Sequence, residues 1–92
     1  MTPVHQFMPK VLAEVLRKAP LTPEKVAFAW RAAVGPSVDK ASSVDLRGRV
    51  LRVRVKEVAW QREVERSAAL IRARMDALLG EGVVGTLEVV NE

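Results

Sequence analysis

Cysteine and tyrosine are absent from this sequence, and histidine occurs once in its 92 residues. Without a thiol there is no disulfide staple, no thiolate metal site and no cysteine nucleophile. Small secreted domains usually need such staples, so an intracellular setting is the expectation. Long apolar runs are missing as well. No stretch approaches the roughly 20 apolar residues of a membrane-spanning helix, and Met1 to Leu16 shows no basic region followed by an apolar run, so no signal peptide is read there. A cytoplasmic location without membrane contact follows as an expectation. The sole histidine, His5, has no nucleophile to pair with, and Ser42, Ser43 and Ser67 have no base in a recognisable arrangement. Glu63 and Glu65 stand two apart on a predicted helix and do not face each other. No phosphate-cradling or dinucleotide loop occurs. The residues therefore indicate no catalytic site, metal, cofactor or small-molecule substrate.

What is present is apolar residues and arginine. Nearly half the chain is apolar, which argues for a folded globule rather than a disordered segment. The length suits one domain, residues 1–92, with a modest core. The net charge of +4 is unevenly spread. Residues 47–74 hold nine basic and three acidic side chains, a net of +6, while the remainder nets −2. Such asymmetry points to a polyanionic partner.

Periodicity predicts a helix over 9–18, with Pro9 in its first turn and Met8, Val11, Leu12, Val15 and Leu16 along one stripe. Ala19-Pro20 ends it. Thr22-Pro23-Glu24 combines a hydroxyl cap, a first-turn proline and an acid facing the dipole, and so starts a second helix. Its buried face is Val26, Ala29, Trp30, Ala33 and Val34. Gly35-Pro36 predicts a kink and restart, with Val38 and Ala41 turned inward. The period then becomes two: Val44 and Leu46, then Leu51, Val53 and Val55, alternate with polar residues around an Arg47-Gly48 turn. A long helix is predicted over 58–79, buried along Trp60, Val64, Ala68, Ile71, Met75 and Leu78 and closed by Gly80. A last strand is predicted over 83–90, with Leu87 and Val89 on one face. The predicted fold class is α+β: a two-layer sandwich in the order α-α-β-β-α-β, its three-stranded sheet carrying helices on one face.

On such a sheet Arg47, Arg52, Arg54 and Lys56 line the outer face, alternate residues about 7 Å apart. A row of this kind neutralises phosphates with guanidinium forks; it also serves as a solvated face that blocks edge pairing. Arg49, in the same basic stretch, is a further candidate. Arg62, Arg66, Arg72 and Arg74 fall on the polar side of the long helix, where Glu63–Arg66 and Arg72–Asp76 have ion-pair spacing. No aromatic residue interleaves with the basic row, so phosphate contacts with little sequence preference are expected. Trp30 and Trp60 read as core residues. Gly82-Val83-Val84-Gly85 spells the GxxG of KH loops, but it follows a helix, precedes a strand and carries two valines, and is read as a turn.

The order Trp30…Val34-Gly35, then Leu51-Arg52-Val53-Arg54-Val55, then Ala59-Trp60-Gln61-Arg62-Glu63-Val64, with Leu79-Gly80…Val84 and a closing strand, resembles the DciA family over roughly Leu12 to Val90. The resemblance implies a bacterial KH-like domain without a true GxxG loop that binds DNA and helps bring the replicative DnaB-type helicase to it. It implies DNA contact, single-stranded or branched, through Arg52, Arg54, Lys56, Arg62 and Arg66; with Arg47 and Arg49 these are the candidate site residues. The surface that would meet the helicase is not indicated. Two other functions fit the residues: a KH-like RNA-binding module, and a protein adaptor whose positive face meets an acidic partner.

Overall fold

The computed structural model describes residues 10–92. His5, Met8 and Pro9 lie outside the described residues. The first element, α1 (Lys10–Lys18), ends in Arg17 and Lys18, cations suited to the negative end of the helix dipole. Thr22 caps α2 (Pro23–Val34), its side chain accepting from the Lys25 backbone N–H at 3.1 Å. Gly35, at φ +86, breaks the helix, and Pro36 restarts it as the short α3 (Pro36–Lys40). Only glycine adopts that φ without strain, so the kink is written into the Gly-Pro pair.

Strands β1 (Ser42–Arg47) and β2 (Val50–Val55) form an antiparallel hairpin. Its turn is Gly48-Arg49, one residue later than expected, because Arg47 still pairs with Val50. Gly48 takes φ +61 and Arg49 keeps a negative φ, the pattern of a turn whose twist matches the strands. Strand β3 (Thr86–Asn91) runs parallel to β2, giving the sheet order β1-β2-β3. The expected start at Val83 is corrected to Thr86: Val84 is buried in the core, and the chain reaches β3 only after the turn at Gly82.

Between β2 and β3 the expected single helix is two helices, α4 (Val58–Arg66) and α5 (Ala68–Leu79). Ser67 separates them at φ −96, ψ 9. A serine in a helix interior competes for backbone hydrogen bonds, and a straight helix of this length would run about 33 Å. The bend gives the halves different neighbours. α4 packs on β3 and β2, whereas α5 packs on α1 and α2.

The helices cover one face of the sheet. Leu51, Val53 and Val55 on β2 meet Val26, Ala29 and Trp30 of α2, Val64 of α4, and Ile71, Met75 and Leu78 of α5 in one core. Val44, Leu46, Leu87 and Val89 border it, half-buried. The predicted α+β order and three-stranded sheet are thus observed. The stripe on α1 behaves otherwise. Among its described residues Leu16 packs on the core, while Val11, Leu12 and Val15 are 74%, 46% and 61% exposed. Apolar periodicity shows that a segment is helical; it does not say what covers the stripe.

Three side chains tie the helical layer together. Lys25 is buried and its Nζ donates to Arg17 O at 3.1 Å and Ala19 O at 2.6 Å, so α2 holds the C-terminal end of α1. Arg74, expected on the polar side of the long helix, donates through Nη1 to Ala33 O at 2.7 Å and holds the end of α2. Trp30 donates its indole N–H to Ser42 Oγ at 3.0 Å, and that hydroxyl donates to Val38 O at 2.6 Å.

Candidate nucleic-acid interface

The alternation of β2 turns Arg52 and Arg54 away from the core, Lys56 is exposed just past the end of that strand, and Arg47 is set outward at the end of β1. The register then decides how much of their charge is free. Asp45, Arg52 and Glu88 lie side by side across β1, β2 and β3. Arg52 Nε donates to Glu88 Oε1 at 2.9 Å. Arg47 Nε pairs with Asp45 Oδ2 at 2.8 Å, and Arg54 Nε lies 3.6 Å from Glu92 Oε1. The row of cations is interleaved with three acids from the neighbouring strands and the chain just after them. Sequence alternation along one strand does not reveal this; only the strand pairing does.

Arg49 has a different task. Its Nε donates to Gly82 O at 2.9 Å, and its own carbonyl accepts from the backbone N–H groups of Gly85 and Thr86 at 2.7 and 3.1 Å. A Cβ on Gly85 would stand 3.3 Å from Arg49 Cβ and Nε, so glycine there lets the hairpin turn lie against the Gly82–Gly85 segment. The valines of that segment turn inward, Val84 fully and Val83 in part.

On α4, Arg62 and Arg66 are exposed one turn apart. Arg66 Nη1 is 3.4 Å from Glu63 Oε2, the expected pair. The Arg72–Asp76 pair is not formed: Arg72 is exposed, whereas Asp76 is half-buried with Oδ1 turned out of solvent. Six of the seven candidates therefore occupy two layers. Arg47, Arg52 and Arg54 belong to the sheet with Lys56 just past its end, Arg62 and Arg66 to the helical layer. Among the described residues, Lys56 and Arg62 have no ion-pair partner. Exposed ion pairs contribute only about 0–1 kcal/mol, so the paired arginines can exchange a carboxylate for a phosphate at little cost.

A cleft of about 400 Å³ opens at the end of the sheet where β1 begins and β2 ends. Lys40, Ser43, Arg54, Lys56, Glu57, Trp60 and Glu92 are among its lining residues. Trp60, expected in the buried stripe, is half-buried and forms part of this wall. Lys40 is not a candidate on sequence grounds. It lies outside the dense basic stretch, and only the antiparallel return of the chain brings it beside Lys56.

A scan against protein families matches residues 3–89 to the model described as "Dna[CI] antecedent, DciA". The chain belongs to the DciA family. A curated relative, a UPF0232 protein of Mycolicibacterium smegmatis (strain ATCC 700084 / mc(2)155), is 36% identical over 62 residues. That match covers 66% of this chain and 32% of the relative, so the aligned region spans about a third of the relative's length. For this DciA-family chain the described residues contain no cluster of three or more His, Cys, Asp or Glu side chains able to hold a metal, and no described helix is long and apolar enough to cross a membrane.

Proposed function

We propose that this DciA-family domain is a non-catalytic accessory of DNA replication that binds DNA through its basic surface and assists loading of the replicative helicase. Family membership carries the replication role, and the charge excess in residues 47–74 supports the DNA contact. Arg47, Arg52, Arg54 and Lys56 on the sheet and Arg62 and Arg66 on α4 are the proposed phosphate contacts. Lys56 and Arg62 lead, because binding displaces no acid from either. Arg49 is committed to Gly82 and supports the hairpin instead.

With phosphates as the main targets, affinity depends steeply on salt and weakly on sequence. The test is fluorescence anisotropy with matched labelled single-stranded DNA, duplex DNA and RNA across a salt titration, followed by capture of the purified replicative helicase. DNA binding with a steep salt slope is expected. Equal or stronger binding to RNA would favour an RNA-binding module, and no binding to any nucleic acid would favour the protein adaptor.

A further inference from the structure

We propose that the cleft at the end of the sheet seats a nucleobase of single-stranded DNA against the Trp60 ring, with the flanking phosphates on Lys40 and Lys56. The inference deepens the DNA-binding reading above and rests on it. Among the described aromatic residues, Trp30 is buried and Phe28 stands apart from the cleft, whereas Trp60 lines it together with cations. The cleft volume of about 400 Å³ falls in the range of about 300–1,000 Å³ of small-ligand sites. That is room for a base.

The charges fit a strand passing across the cleft. Lys40 and Lys56 are exposed and have no ion-pair partner among the described residues. Arg54 is held only loosely, at 3.6 Å from Glu92. Arg54 lies in β2 and Lys56 follows just past its end, which carries positive charge from the cleft onto the sheet face. The first turn of α4 opens beside Glu57 with no side-chain cap, so its dipole adds to the positive field. Glu57 and Glu92 oppose it at the rim, and their carboxylates accept hydrogen bonds from a base edge rather than repel it. An aromatic platform beside a cationic track is the arrangement that binds single strands without reading sequence.

The test uses the full chain with a short oligothymidine and an abasic deoxyribose-phosphate strand of equal length. Trp30 is shielded, so a change in tryptophan emission on binding reports Trp60. The expected result is quenching by oligothymidine, none by the abasic strand, and about tenfold weaker abasic binding. Trp60→Leu is expected to bring oligothymidine binding down to the abasic level. Equal affinity for the two strands with unchanged emission overturns the stacking proposal and leaves phosphate binding intact. Binding to neither strand overturns both.

Discussion

The indole N–H of Trp30 donates to Ser42 Oγ at 3.0 Å, and through this bond the centre of α2 is fastened to the first residue of β1. The same hydroxyl donates to Val38 O, so one serine joins α2, α3 and β1. Replacing it with alanine leaves a buried indole N–H unsatisfied, at a cost of about 1–3 kcal/mol. Ser42→Ala is expected to lower the unfolding free energy by that amount, seen in urea unfolding as a lower midpoint with the slope unchanged. A loss of unfolding free energy below about 0.5 kcal/mol would show that solvent or a rearranged neighbour satisfies the indole.

Lys25 does for α1 what Ser42 does for β1. Lys25→Met keeps most of the side-chain volume but abandons the Arg17 and Ala19 carbonyls. The expected loss is about 1–3 kcal/mol, concentrated in α1, which packs mainly on α5. Hydrogen exchange should therefore accelerate in residues 10–18 well before it does in β2. Uniform acceleration across the domain would mean that α1 opens only with the whole fold.

The Asp45–Arg52–Glu88 row predicts a charge effect of unusual sign. Glu88→Gln removes an acid that now neutralises Arg52, and the exposed pair contributes at most about 1 kcal/mol to stability. If the sheet face meets phosphates, the variant binds DNA more tightly, and each further phosphate that it neutralises steepens the salt slope by about 0.7–0.9. Arg52→Glu with Arg54→Glu produces the opposite change. Unchanged DNA affinity in both variants, with the fold intact, would exclude the sheet face.

Lys56→Glu and Arg62→Glu probe one candidate on each layer. Neither side chain holds a neighbouring carboxylate, so both variants are expected to melt near the wild-type temperature. Each should weaken DNA binding without changing sequence preference, measured by anisotropy at two salt concentrations. If only one of them weakens binding, that layer is the DNA-facing one.

Trp60→Ala is a stability measurement as much as a binding one. Removing a fully buried tryptophan costs about 3–5 kcal/mol. Because Trp60 is half-buried at the cleft, the expected loss is less than that, about 1–3 kcal/mol by calorimetry or denaturant titration. A loss at the upper end of the fully buried range would place the ring in the core.

Much of this fold is legible in the sequence because its signals are local. Thr22-Pro23, Gly35-Pro36 and Gly80 mark helix ends by chain geometry alone, and the alternation in β2 separates Leu51, Val53 and Val55 from Arg52 and Arg54 without knowledge of any partner. What is not legible depends on distant neighbours. The acids that quench the sheet row come from β1 and from residues more than 30 positions later in the chain. Periodicity carries Trp60 and Ile71 on one stripe, but the dihedral change at Ser67 sends their two helices to different neighbours. Arg74 looks like a surface cation until α2 ends beside it. The candidate site is thus visible as a set of residues, while its division between two layers and the cleft beside it are not.

The parallel pairing of β3 with β2 sets an order of events during synthesis. The β1–β2 hairpin can close as soon as its residues leave the ribosome, but the other side of β2 waits for two intervening helices and then for residues 86–91. Until they arrive, the strand that supplies Leu51, Val53 and Val55 to the core has one row of backbone amides and carbonyls open to any extended chain nearby. Protein cut short before Thr86 should consequently reach the insoluble fraction, even though nearly all of its helical layer and its basic residues are intact.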